Sequence, residues 1–152
     1  MQIEYIVTDA RDLELIRPLW EKLNEHHVVR SRYFAAEMVQ RTFEDRKKYF
    51  LDNAKAELRV ELAKDKAAGA VIGYCVSSIS TGEQGEIESI YVEPDYRKLG
   101  IGDALMQRAL AWMDGRQIKR KRIGVAYGNE EVFGFYSRYG FYPRVTILQQ
   151  VE

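Results

Sequence analysis

The chain has 152 residues, with 23 Lys plus Arg against 23 Asp plus Glu, 46% hydrophobic residues and 12% aromatic. A chain of this length buries roughly 70% of the surface its unfolded form exposes, so one core needs no disulfide or metal staple, and a single domain over residues 1–152 is expected. Zero formal net charge excludes the overall basic footprint of a dedicated nucleic-acid binder, and the apolar content excludes a disordered chain.

No uninterrupted apolar run approaches the roughly 20 residues of a membrane helix. Met1 to Tyr5 contains no basic segment followed by an apolar stretch and a small-residue cleavage site, so a cytoplasmic location is expected. Ile3, Tyr5 and Val7 alternate with polar Glu4 and Thr8 as in a short strand, and Asp9 or Asp12 is placed to cap the first helix. Leu13, Ile16, Trp20 and Leu23 then recur at helical spacing, with Pro18 inside the pattern predicting a kink or a division. The helix runs to about His26 and His27. Adjacent residues point to different helix faces, so this pair is poorly placed to hold one metal ion, and no metal is expected.

A second helical region is predicted from Ser31 to Asn53, with a break near Arg41 and Thr42. Leu58, Val60 and Leu62 alternate with Arg59 and Glu61, and Ala70 to Ile79 comes after a polar turn, which predicts a β-hairpin. Glu86 to Val92 is a further strand, stopped by Pro94. Cys75, the lone cysteine, has strand-like neighbours and reads as an inert buried thiol. Ile101, Leu105, Ala109 and Trp112 mark a helix that ends at Gly115. Lys121 to Tyr127 reads as a strand whose basic start, Arg116 to Arg122, lacks the interleaved aromatics of an RNA-binding patch. Asn129 to Tyr139 reads as a helix closed by Gly140, and Phe141 to Val151 as a last strand confined by Pro143 to an edge or bulge. The resulting fold class is α/β of the α+β type, a mixed, mostly antiparallel central sheet flanked by helices, in the order β-α-α-β-β-β-α-β-α-β.

The segment Ile90-Tyr91-Val92-Glu93-Pro94-Asp95-Tyr96-Arg97-Lys98-Leu99-Gly100-Ile101-Gly102 joins a strand to a helix through a basic, glycine-containing turn. Gly100 and Gly102 leave room for a ligand beside the backbone, and the amides from Leu99 to Asp103 lie at the positive end of the helix dipole. The turn lacks the Gly-Lys-Ser/Thr of a P-loop, and Leu105 stands where a dinucleotide fingerprint carries its third glycine or alanine. What remains is Arg-x-x-Gly-x-Gly after a strand ending in Val-x-Pro. Here the sequence resembles the GNAT superfamily of acetyl-CoA-dependent N-acetyltransferases, in which this turn cradles the pyrophosphate of coenzyme A. Asn129 and the run Phe135-Tyr136-Ser137-Arg138-Tyr139-Gly140-Phe141 resemble a second signature of that family, in family order, so the likeness covers most of the chain.

The resemblance implies acetyl-CoA as co-substrate, bound by Ile90, Tyr91, Val92, Arg97, Lys98, Leu99, Gly100, Ile101, Gly102, Asp103, Asn129 and Tyr136. Splaying of the strand beyond Tyr91, with a β-bulge, would free the backbones of Ile90, Tyr91 and Val92 for the pantetheine arm, and the Val92 amide would stabilise the oxyanion. A primary amine must lose a proton before it attacks. Glu86 and Glu88 share a strand face, with Glu86 at the offset where some family members carry a catalytic glutamate; both equally suit solvated strand carboxylates. Tyr136 matches the family's proton donor to the leaving thiolate, although Val132, Tyr136 and Tyr139 also form an ordinary packing stripe. His27, Arg30 and Tyr33 begin the variable acceptor-binding segment.

The expected function is direct acetyl transfer to a primary amine of a small molecule or peptide. The alternatives are a protein N-terminal acetyltransferase of the ribosomal-protein type and a non-catalytic acyl-CoA-binding sensor. Neither nucleic acid nor membrane is an expected partner. A homodimer is favoured by the exposed aromatics and by a last strand able to pair or swap with a second copy.

Overall fold

The computed structural model describes residues 1–52 and 55–152. Strands Ile3–Thr8 (β1), Lys55–Asp65 (β2), Ala70–Ser80 (β3), Gln84–Val92 (β4) and Arg120–Ile123 (β5) form one sheet in that order. Neighbours are antiparallel as far as β4, and β5 runs parallel to β4. The α-helices are Arg17–Arg30 (α1), Ala35–Val39 (α2), Phe43–Asp52 (α3), Ile101–Gly115 (α4) and Phe133–Ser137 (α5). No helix among the described residues is long and apolar enough to cross a membrane.

Local chemistry explains the helix boundaries. The Asp9 side chain accepts the Arg11 amide at 3.0 Å and starts a 3-10 segment, Ala10–Ile16. Pro18 lies in the first turn of α1, where its missing N–H leaves no hydrogen bond unmade, so it divides the helical region rather than kinking it. The predicted break near Arg41 and Thr42 is present, and α3 opens on a capping box. The Thr42 hydroxyl accepts the Asp45 amide at 3.1 Å, and the Asp45 carboxylate accepts the Thr42 amide at 3.4 Å. The expected end of this region at Asn53 lies outside the described residues.

Both faces of the sheet are covered. Leu13, Ile16 and Trp20, with Phe43 and Phe50 of α3, pack on Val60, Leu62, Tyr74 and Tyr91. On the other face Ile101, Leu105, Met106, Ala109 and Met113 of α4 pack on Ala63, Cys75, Ile79 and Ile87. Arg59 and Glu61, the polar positions in the middle of β2, therefore do not meet solvent. Glu61 is fully buried and accepts hydrogen bonds from Arg59 and Arg108.

The sheet opens at one place. Pairing of β4 with β5 ends at Ile87 opposite Ile123. On the other flank the register with β3 passes from Ile87 opposite Ser77 to Ser89 opposite Val76, leaving Glu88 as a bulge. Bulge and splay thus begin before Ile90, rather than beyond Tyr91 as expected. Glu93 donates its amide to the Ile72 carbonyl of β3. By the alternation of an antiparallel pair, Val92 and Ile90 then turn their backbone groups to the open flank and Tyr91 turns its own to β3.

The C-terminal third departs from the sequence expectation. The strand predicted for Lys121 to Tyr127 pairs only as β5, and the predicted helix from Asn129 to Tyr139 divides into a 3-10 turn, Glu130–Val132, and α5. The last strand, Phe141 to Val151, does not form; these residues carry no regular structure, and Ile147 and Leu148 are 86% and 91% exposed. The order therefore closes on α5. Alternation of β-branched residues expresses fit to a half-buried sheet surface, and this segment has none to lie on.

Candidate active site

Where β4 parts from β5, a cavity of about 490 Å³ opens, bounded by α1, α3, the bulged stretch of β4, residues 123–126 and the start of α5. Glu88, Ile90, Asn129 and Tyr136 all stand on its wall. Glu88 is buried, and Ser78 donates its hydroxyl to the Glu88 carboxylate at 2.5 Å, orienting it. Glu86 is not on this wall and accepts from Arg122 Nε at 3.0 Å. The bulge thus gives two carboxylates of one strand different surroundings. Tyr136 is half-buried, and burial, with Cys75 nearby, pushes its phenol up to about 12. Cys75 is itself fully buried, which raises its thiol to about 12 and keeps it protonated.

His27 lies on the same wall. Burial, then the charges of His26, Arg41 and Arg46, pull its imidazole down to about 4, so it is neutral at physiological pH. The neighbouring His26 faces elsewhere, its Nε2 being 3.3 Å from Asn129 Oδ1. Arg30 and Tyr33 are not on the wall: Arg30 pairs with Glu131 at 2.9 Å, and Tyr33 stacks on Tyr127 at 6.1 Å between centroids. They instead hold the end of α1 to the segment before α5. That closure is tight, because a Cβ on Gly128 would lie 2.2 Å from the Arg30 carbonyl oxygen.

Beyond the cavity, β4 leads into the basic turn. Lys98 and Gly100 have φ of +64° and +81°, and Gly100 is the N-cap of α4 with no side chain capping the helix. The first amides of α4, those of Ile101, Gly102 and Asp103, are therefore left without intrahelical or side-chain partners at the helix N-terminus. Lys98 and Leu99 are exposed there, and Arg97 donates Nε to the Val92 carbonyl at 2.9 Å. The Asp103 carboxylate is drawn toward α5, accepting from Tyr139 and, at 3.2 Å, from Arg138. Space beside Gly102 is used for packing, since a Cβ there would sit 3.5 Å from the Phe135 ring.

The comparisons with known proteins bear on this geometry. Residues 15–141 match the acetyltransferase (GNAT) family. The chain belongs to that family. An uncharacterized N-acetyltransferase of Methanocaldococcus jannaschii is 36% identical over 84 residues, 54% of this chain and 37% of that protein. The chain thus spans little more than a third of that curated relative's length. Among solved structures, a GCN5-related N-acetyltransferase from Ralstonia eutropha has a TM-score of 0.72 at 20% identity, with 99% of each chain covered. The PaiA N-acetyltransferase from Thermoplasma acidophilum, in complex with coenzyme A, has a TM-score of 0.70 at 20% identity, covering 97% of this chain and 94% of that one. These likenesses show the GNAT fold, a mixed sheet with helices on both faces.

GNAT acetyltransferases use acetyl-CoA, and the residues present fit it: an uncapped helix N-terminus behind Gly100 for phosphate, and the outward backbone of Ile90 and N–H of Val92, whose carbonyl accepts from Arg97, for the amides of the arm. Among the described residues, no group of three or more His, Cys, Asp or Glu is placed to hold a metal ion. Sequence reasoning missed the α3 contribution to the wall, Asp45, Arg46 and Tyr49. Charged residues on a short amphipathic helix read as a solvated face; the available signal was the spacing of Arg46, Tyr49 and Phe50, which stacks a guanidinium on aromatics.

Proposed function

We propose that this GNAT domain transfers the acetyl group of acetyl-CoA directly to the primary amine of a small acceptor, without a covalent enzyme intermediate. The observation carrying this reading is that Glu88 and Tyr136 share the wall of one cavity at the point where β4 and β5 part. An alkylamine titrates near 10.4 and is mostly protonated at neutral pH. Glu88, oriented by Ser78, takes its proton directly or through a water. The free amine attacks the thioester carbon. Of the two residues with outward-facing backbones, Ile90 lines the cavity and Val92 does not, which supports giving the oxyanion to the Ile90 amide rather than to the expected Val92 amide and leaving Val92 for the arm.

As the carbon–sulfur bond breaks, Tyr136 donates to the developing thiolate. A phenol at about 12 carries its proton throughout the physiological range, and it is a weaker acid than a thiol near 8.5. Its contribution is therefore a hydrogen bond to sulfur while charge develops; the nitrogen, cationic after attack, sheds its second proton as the amide forms, and that proton goes to the departing thiolate. The Tyr136→Phe variant is expected to bind coenzyme A as the parent does and to lose about 10²-fold or more in turnover; unchanged turnover overturns the assignment.

A cavity of about 490 Å³ suits a small acceptor better than the open groove of a protein N-terminal acetyltransferase, and a non-catalytic sensor has no use for a base and a donor on one wall. The exposed Val145, Ile147 and Leu148, together with a β5 edge paired only to β4 among the described residues, support a homodimer. Sedimentation equilibrium is expected to give twice the chain mass.

A further inference from the structure

We propose that Arg46 recognises a carboxylate on the acceptor, which makes the substrate class a small amino acid whose amine and carboxylate are a few bonds apart. This rests on the acetyl-transfer reading of the same cavity. Arg46 lies on α3, half-buried, on the cavity wall. Its Nη2 donates to the Glu88 carbonyl at 2.9 Å, and its guanidinium lies 4.7 Å from the ring centroids of both Tyr49 and Phe50. The planar fork is thus fixed in orientation before any ligand arrives, and most of its five donors are still to be used.

Among the described residues no carboxylate lies within ion-pair distance of Arg46. The adjacent Asp45 spends its carboxylate on the Thr42 amide, and Arg41 faces Glu37 at 3.7 Å. Removing a guanidinium from water without a counter-ion is costly, and a bidentate carboxylate from a ligand offsets that cost. His27 belongs to the same electrostatic environment: Arg41 and Arg46 help to hold it neutral, and its Nδ1 is buried with no partner among the described residues, an additional hydrogen-bonding group for the acceptor. The bond from Arg46 to the Glu88 carbonyl puts the anion site within one residue of the carboxylate that takes the amine proton, which sets the short spacing.

The test monitors thiol release from acetyl-CoA with α-, β- and γ-amino acids, each beside its own carboxamide, for the parent and for Arg46→Gln and Arg46→Lys. The parent is expected to favour carboxylate over carboxamide by about 30-fold in kcat/KM, the size of a charge-assisted pair. In Arg46→Gln that ratio falls toward one, chiefly through KM for the carboxylates, and Arg46→Lys recovers part of it. A parent without preference, or a variant that loses activity on both acceptors with the ratio kept, overturns the proposal; the latter marks Arg46 as a support for the bulge. Titration of Trp20 fluorescence, a residue of the same wall, reads binding without turnover. If no acceptor is turned over, carboxylate-dependent quenching that Arg46→Gln abolishes sustains the anion site while the transfer reading fails, and absence of quenching overturns both.

Discussion

Glu86 and Glu88 are two positions apart on one strand and differ in everything that matters for proton transfer. Glu88 is buried on the cavity wall and held by Ser78, whereas Glu86 is tied to Arg122 away from it. Replacing Glu88 with Gln is expected to lower kcat/KM by about 10²–10⁴, and replacing Glu86 with Gln to change it by no more than about threefold, both at saturating acetyl-CoA. His27 supplies a pH signature of a different kind. Its folded value near 4 lies below the 6.5 of a free imidazole, so the unfolded chain takes up the proton first. Stability is present above about pH 6.5 and falls as pH drops from there toward 4, by on the order of 3 kcal/mol. Urea midpoints measured at pH 7 and pH 4.5 are expected to differ less in His27→Gln than in the parent, and an equal difference in both contradicts the neutral imidazole.

At the scale of elements, the site depends on how β4 ends and α4 begins. The basic turn was legible in the sequence because each requirement falls on a residue type: a left-handed residue at Gly100, an uncapped helix start, and cations before it. An alanine at position 100 in the left-handed region costs about 1–2 kcal/mol, so Gly100→Ala is expected to lower the melting temperature by about 2–8 °C and to weaken coenzyme A binding measured by calorimetry. Unchanged binding places the phosphate elsewhere. The bulge at Glu88 was less legible. A strand's alternation fixes which side chains share a face, but the point where two parallel strands separate depends on tertiary pairing, here on β5 ending at Ile123. The short α5 and the unpaired last segment show the same limit, because their patterns describe a surface to pack on and the surface comes from other elements.

For the whole molecule, element order and the principal helix stripes came from periodicity, since α4 and the hairpin of β2 and β3 bury the residues their patterns single out. Arg59 and Glu61 did not. Alternation assigns them to solvent, but helices cover both faces of the sheet, so they are buried, with Glu61 pairing both to Arg59 and to the exposed Arg108. Glu61→Ala leaves Arg59 without its counter-ion in the interior and is expected to cost about 3–5 kcal/mol in denaturant unfolding; a change below about 1 kcal/mol contradicts that role. The cavity wall was hidden for the same reason, being assembled from apolar and neutral polar positions of α1 and charged positions of α3 that become a cavity only when the helices dock against the opened sheet. Thiol release from acetyl-CoA across a panel of amines and peptides separates acetyl transfer from coenzyme A binding alone. Amine-dependent release matched by an equal amount of N-acetylated product and led by small amino acids is expected; tight coenzyme A binding with no release for any amine or peptide contradicts acetyl transfer.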